Sequence, residues 1–280
     1  MDKRYSANPA HFRRMTTEET RREFLIETLF RPDEVNFTYS HVDRMVVLGA
    51  QPAREPLPLE RGMDVWASFG VERFLDRREL GVFNVGGAGA VYADGTEYHM
   101  EARDCLYLPM GTKDVSFAST GAETPAKFYM VSAPAHARHE AKLIRIGDAA
   151  KRELGSVETC NKRVINQFIH PSVLKTCQLS MGLTELSPGC VWNSMPPHTH
   201  ERRMEVYFYF GLPENQVVFH LMGEPEETRH IVMKNEQAVI SPSWSIHAGA
   251  GTCAYSFIWA MGGENQAFDD MDPLAIGDLR

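Results

Sequence analysis

A chain of 280 residues with 43% hydrophobic and 24% charged side chains has the composition of a globular protein, long enough for one large domain or two smaller ones. Its formal charge of −8 excludes a general polyanion binder, which needs clustered Lys and Arg, so no nucleic-acid partner is expected. No run reaches the roughly 18 to 20 apolar residues that span a bilayer, and the opening MDKRYSANPAHFRRM lacks the apolar stretch of a secretory signal, so a cytoplasmic protein with no membrane partner is expected.

In chain order, the first element is Thr17 to Phe30 (TEETRREFLIETLF): acids open it, apolar residues recur at helical spacing, and Thr16 or Thr17 stands where an N-cap belongs. Beyond Pro32 the pattern changes to short apolar runs broken by Gly, Pro and Asp, among them GVFNVGG, AVYADGTEYHM, DCLYLPMG and AKFYMVSAP. Such runs predict the short strands of a sandwich or barrel. Pro134 to Asn161 is more polar and predicts a connection with at most short helical structure. A second set of strand-like runs follows, including KTCQLSMGLTEL, MEVYFYF, QVVFHLMG, QAVISPS and AYSFIWAMGG. The polar tail FDDMDPLAIGDLR is expected on the surface or against a neighbouring subunit. Five scattered cysteines, Cys105, Cys160, Cys177, Cys190 and Cys253, never form a C-x-x-C pair and predict reduced core thiols.

The two halves carry a faint repeat. DRRELGVFNVGGAGAVYADG with RDCLYLPMGTKDVSF lies over ERRMEVYFYFGLPENQVVFH with NEQAVISPSWSIHAG, placing Glu79 opposite Glu205 and Pro109 opposite Pro242. Opposite His198, His200 and His247 stand Glu72, Phe74 and Asp114. The prediction is an all-β chain of two barrels with a few short helices. Residues 1–150 form a degenerate first barrel with its leading helix, and residues 151–280 form a second barrel that carries the ligands.

The ligands lie in and after PPHTHERRMEVYFYFG, Pro196 to Gly211. In a strand, residues i and i+2 share a face, so His198 and His200 aim both imidazoles into one barrel. Glu205 opens the next strand after a short turn, and His247, in ISPSWSIHAG, is the best fourth arm. Three imidazoles and one carboxylate suit zinc, iron, manganese, nickel or cobalt and leave room for water or substrate. H-x-H-x4-E with a later His is the cupin spacing. Trp192 and Trp244 stand where that pattern has glycine and are expected to reshape the pocket mouth. Tyr207 and Tyr209 share parity with Glu205; core packing is the first expectation for them, pocket lining the second. His220 and His230 read as structural.

HTHERRMEVYFYF, TCQLSMGLTELSPG, ETRHIVMKNEQAVISPSWSIHAG and FIWAMGGENQAFDDMD, with FLDRRELGVFNVGGAGAVYADG and TPAKFYMVSAPAH in the first half, closely resemble the 5-keto-4-deoxyuronate isomerase family, the 4-deoxy-L-threo-5-hexosulose-uronate ketol-isomerases. The likeness runs from about the first helix to the C-terminus. It implies two cupin barrels, one zinc ion per subunit held by His198, His200, Glu205 and His247, a homohexamer, and a place in bacterial breakdown of pectin and related uronate polymers.

The reaction so implied moves a carbonyl from the aldehyde carbon of an open-chain keto-aldehyde acid to its neighbour. A divalent cation acts there as a Lewis acid, and a general base carries the proton. The sequence offers Glu205, Tyr207, Tyr209 and Glu185 for that base. Arg203 joins Glu205 and Tyr207 as a catalytic candidate, Arg163, Arg202 and Tyr209 are candidate substrate contacts, and any of Arg163, Arg202 and Arg203 can hold a carboxylate by charge. Two other readings stand beside it: an iron-dependent cupin dioxygenase and a sugar-acid-binding bicupin without turnover.

Overall fold

The computed structural model describes residues 2–121 and 123–280, and the chain divides into two compact units. The first comprises the described residues up to Lys3, Thr28–Ala150 and Phe168–Ser180; the second comprises Arg4–Glu27, Lys151–Gln167 and Met181–Arg280. Two segments are thus exchanged relative to a division at residue 150. The leading helix belongs to the second unit, where Phe12 and Phe24 pack on Trp244 with ring centroids 5.2 and 6.4 Å away. Phe168–Ser180 belongs to the first, where the backbone N–H groups of Cys177, Gln178 and Leu179 donate to the buried Glu79 carboxylate at 2.8, 2.9 and 2.8 Å.

The first unit holds a seven-stranded sheet in the order Asp2–Arg4, Val35–Ser40, Val46–Ala50, Phe128–Pro134, Arg78–Asn84, Cys105–Leu108, Lys142–Ile144. Its four-stranded partner runs Leu57–Pro58, Val115–Ser119, Gly89–Ala93, Thr96–Met100. Leu80, Val82, Leu106 and Leu108 from one sheet meet Val91, Met100, Val115 and Phe117 from the other in a continuous apolar core. The second unit repeats the plan. Seven strands run Ala150–Leu154, Arg163–Ile169, Ser180–Leu186, Ser256–Gly263, Arg203–Phe210, Gln237–Ser241, Leu25–Ile26, and four run Trp192–Asn193, Ile246–Gly251, Val218–Glu224, Glu227–Met233.

The expected helix over Thr17–Phe30 is real but shorter, ending at Phe24. Thr16 caps it: its hydroxyl accepts from Glu19 N–H, and the Glu19 carboxylate accepts from Thr16 N–H. The chain then turns extended because Leu25 and Ile26 pair with Val239 and Ala238, burying two apolar side chains on a sheet edge that a longer helix would leave bare. Pro134 to Asn161 differs likewise. It carries the strands Lys142–Ile144 and Ala150–Leu154 in place of helix, each extending a sheet edge.

The repeat alignment needs a shift of one residue. Glu205 pairs with Ser241, the residue before Pro242, and Leu80 pairs with Leu108, the residue before Pro109. Leu80 therefore takes the place of Glu205 and points into the first core, while Glu79 lies on the opposite face, because a one-residue slip exchanges the faces of a strand. Asp114, aligned with His247, is also turned out: its side chain is 79% exposed beside Arg73, and Val115 points inward. Hydrocarbon fills the first barrel where the second holds His198, His200, Glu205 and His247.

Candidate metal centre

Three strands and one turn bring the polar groups of the second barrel together. Along Arg203–Phe210 the alternation sends Glu205, Tyr207 and Tyr209 inward, with Tyr207 and Tyr209 in the core beside Phe257 and Val218. His247 comes from Ile246–Gly251, opposite Met222 on the neighbouring strand. His198 lies on a two-residue strand paired with Asp272–Pro273, and His200 follows it immediately.

Among the described residues, these four form the one group whose ligand atoms converge closely enough for a metal ion, all lying within 4.8 Å of one another. His200 Nε2 is 2.7 Å and His247 Nε2 3.5 Å from Glu205 Oε1, and the Nε2 atoms of His247 and His198 are 2.9 Å apart. Behind the imidazoles, His200 Nδ1 faces the Asp270 carbonyl at 2.9 Å and His247 Nδ1 faces the Ser245 carbonyl at 3.4 Å. His200 Nδ1 also lies 3.1 Å from Arg203 Nη2, but the Asp270 carbonyl is its nearer neighbour, and with the Ser245 carbonyl behind His247 it favours the tautomer that leaves each Nε2 lone pair pointing inward, which is how ligating histidines are oriented. The donor set and its orientation therefore fit a borderline divalent cation.

The electrostatics agree. Burial pushes the Glu205 carboxyl up, but His247, His200 and His198 together outweigh it and bring it to about 2. Burial lowers His198 to about 4 against the pull of Glu205, and drives His247 well below its ordinary value. Burial thus favours the neutral imidazole at His198 and His247, the form in which histidine binds a cation.

A cavity of about 180 Å³ opens on the cluster. Its polar wall includes Arg163, Tyr207, Thr184 and Ser194, and its apolar wall includes Trp259, Phe257, Phe268 and Met271. Gly182 is required beside it, since a Cβ there would lie 2.2 Å from the Trp259 ring. Among the described residues Arg163 is the arginine or lysine that lines this space: its Nη1 donates to the Asn161 carbonyl at 2.9 Å, and its buried Nε has no partner. Tyr207 is 4% exposed, and burial, with the Glu205 charge, keeps its phenol protonated far above neutral pH.

The other candidates lie elsewhere. Arg202 does not line the cavity; its Nε donates to both Asp270 carboxylate oxygens at 2.8 and 2.9 Å and its Nη2 to Asp272 at 2.9 Å. Arg203 sits behind His200, donating to the carbonyls of Ala267 and Asp270. Tyr209 is sealed in the core with its hydroxyl 2.8 Å from His220 Nδ1, which explains the buried His220 as structural. Glu185 points away from the cavity, toward Asn166. Neither Trp192 nor Trp244 reaches the cavity wall, so neither shapes the mouth as expected. Of the cysteines, Cys105 and Cys190 are buried as expected, whereas Cys160 is exposed. Sequence reasoning missed Trp259, Thr184 and Phe268; Trp259 is brought in by pairing across from Tyr207, a register that no local pattern records.

Fold and site together define a two-barrel protein of the cupin type with a three-histidine, one-carboxylate cluster in its second barrel. The chain belongs to the KduI/IolB family, whose model matches residues 33–275. It is 56% identical over 280 residues to the 4-deoxy-L-threo-5-hexosulose-uronate ketol-isomerase of Salmonella paratyphi A, covering all of both chains. It is 55% identical over the same length to the protein so named from Salmonella typhimurium, again covering all of both chains. Among solved structures, an IolB-like protein from Salmonella typhimurium LT2 has a similar fold, with a TM-score of 0.69 at 17% identity over 87% of this chain and 94% of that one. No helix among the described residues is long and apolar enough to cross a membrane.

Proposed function

We propose that this chain is a metal-dependent ketol-isomerase that converts 4-deoxy-L-threo-5-hexosulose uronate to 3-deoxy-D-glycero-2,5-hexodiulosonate. The observation that carries this reading is the convergence of His198, His200, Glu205 and His247 on one point at the floor of a cavity, in a chain 56% identical to a named isomerase along its whole length. Zinc is the ion we assign to these four residues, one per subunit, in a cytoplasmic homohexamer serving uronate breakdown. When bound, such an ion supplies a Lewis acid for the substrate's carbonyl and adjacent hydroxyl oxygens.

The residues divide the remaining work. Arg163, with a free donor edge, holds the substrate carboxylate at the end of the six-carbon chain remote from the aldehyde. Glu205 is the only carboxylate lining the cavity among the described residues and is ionised, so it takes the proton from C2 and returns it to C1. Tyr207, held as a neutral phenol, gives its proton to the aldehyde oxygen as the enediol forms and recovers one from the C2 hydroxyl as the ketone forms. Trp259, Phe257 and Phe268 exclude water from that step.

The test is turnover of the keto-aldehyde acid in deuterated water, followed by NMR. Carbonyl migration with solvent deuterium on the hydroxymethyl carbon of the product, the former aldehyde carbon, is expected. Unchanged substrate over fully metallated protein contradicts the isomerase reading, and oxygen uptake with cleavage of the chain points to dioxygenase chemistry.

A further inference from the structure

Residues 264–274, which include the start of the polar tail Phe268 to Arg280, grip the segment that carries two of the candidate ligands. Glu264 N–H donates to the Arg202 carbonyl at 2.9 Å, Asp272 and Pro273 pair with Thr199 and His198, and Leu274 N–H donates to the Pro197 carbonyl at 3.0 Å. The same strap delivers Phe268 and Met271 to the cavity wall. Phe268 is fixed there between Trp259, 5.5 Å away, and the Arg152 guanidinium, 5.3 Å from the ring centroid, while Arg152 also pairs with Asp269 at 3.3 Å.

Asp270 lies at the middle of this strap and uses both of its ends. Its carboxylate receives Arg202 and Asn265. Its main-chain carbonyl accepts from Arg203 Nη2 and faces His200 Nδ1 at 2.9 Å, nearer to that nitrogen than Arg203 Nη2 is at 3.1 Å. Arg203 is almost wholly buried and also holds the Ala267 carbonyl, so the strap's backbone is bound from below while its side chain is bound from the rim. His247 differs: its Nδ1 faces a carbonyl two residues away in its own chain segment.

We propose that Asp270 is a positioning residue, through which the strap that walls the cavity also fixes the orientation and tautomer of His200, so that seating of the strap and metal affinity are coupled. This rests on the reading of the four residues as metal ligands. Ligand-orienting contacts of this kind are typically worth about 10- to 100-fold in metal affinity. Cutting the Arg202–Asp270 pair leaves all four ligands in place and frees only the strap.

The experiment measures the dissociation constant for zinc by competition with a chromophoric chelator in the full-length protein, wild type against Arg202→Gln and Asp270→Asn. Both substitutions are expected to weaken zinc at least tenfold and to alter the visible spectrum of the cobalt-substituted protein, while thermal unfolding of the metal-free forms stays close to wild type. A wild-type dissociation constant in either folded variant overturns the proposal. Independently of any variant, long-range 1H–15N correlation on the wild-type zinc form is expected to show His200 protonated at Nδ1; protonation at Nε2 overturns it. A wild-type protein that binds no divalent cation removes the metal reading itself, whereas tight binding in all three proteins removes only the role of the strap.

Discussion

Replacing His247 with alanine is expected to remove bound metal and isomerase activity together. The imidazole is 3% exposed, and its Nε2 lies within 3.5 Å of both Glu205 Oε1 and His198 Nε2, so no water-exposed side chain stands ready to replace it. Its strand is held by pairing with Val218–Glu224 and by the buried Ile246 and Ala248, so the fold survives the truncation. Losing electrophilic stabilisation worth roughly 4 kcal/mol corresponds to about a thousandfold fall in turnover. Metal analysis after desalting, run beside the activity assay, checks both. The matched control is Asp114→Ala in the first barrel, an exposed position, where metal content and activity are expected to stay at wild-type levels.

The second large effect is expected at Arg163. Arg163→Met keeps most of the side-chain volume and removes the charge, so kcat/KM for the uronate-derived substrate is expected to fall about 30-fold, the equivalent of roughly 2 kcal/mol for a lost charged hydrogen bond. Because the carboxylate is remote from the carbons that exchange the proton, the loss belongs in KM with kcat largely retained. Metal content is expected to be unchanged. Arg163→Lys is expected to recover only part of the loss, because an ammonium cannot present two parallel donors. A kcat defect with unchanged KM contradicts the assignment.

The convergence of His198, His200, Glu205 and His247 was legible because a carboxylate and closely spaced histidines are conspicuous in a β pattern, and because His198 and His200 need only the period of a strand to share a face. Register in the first barrel was not legible. All seven residues of Arg78–Asn84 are buried, so neither face is marked by polarity and Glu79 could be aligned a residue away from its true place. The carboxylate itself misled, since Glu79 is buried to bind backbone N–H groups about a hundred residues away in sequence. The same limit explains Arg202 and Arg203. Adjacent arginines beside the ligands invite a substrate role, but their partners Asp270 and Asp272 and the Ala267 carbonyl come from a tail whose path no local pattern records. Leu25 and Ile26 were read as helix because their spacing fits one; a sheet edge formed by residues 237–241 decided otherwise.

Anomalous diffraction from crystals of the protein grown with zinc tests the central claim most directly. The account predicts a single peak in the second barrel, about 2.0 to 2.2 Å from the Nε2 atoms of His198, His200 and His247 and from a Glu205 carboxylate oxygen. No peak there, or a peak bound by other residues with these four turned apart, contradicts it.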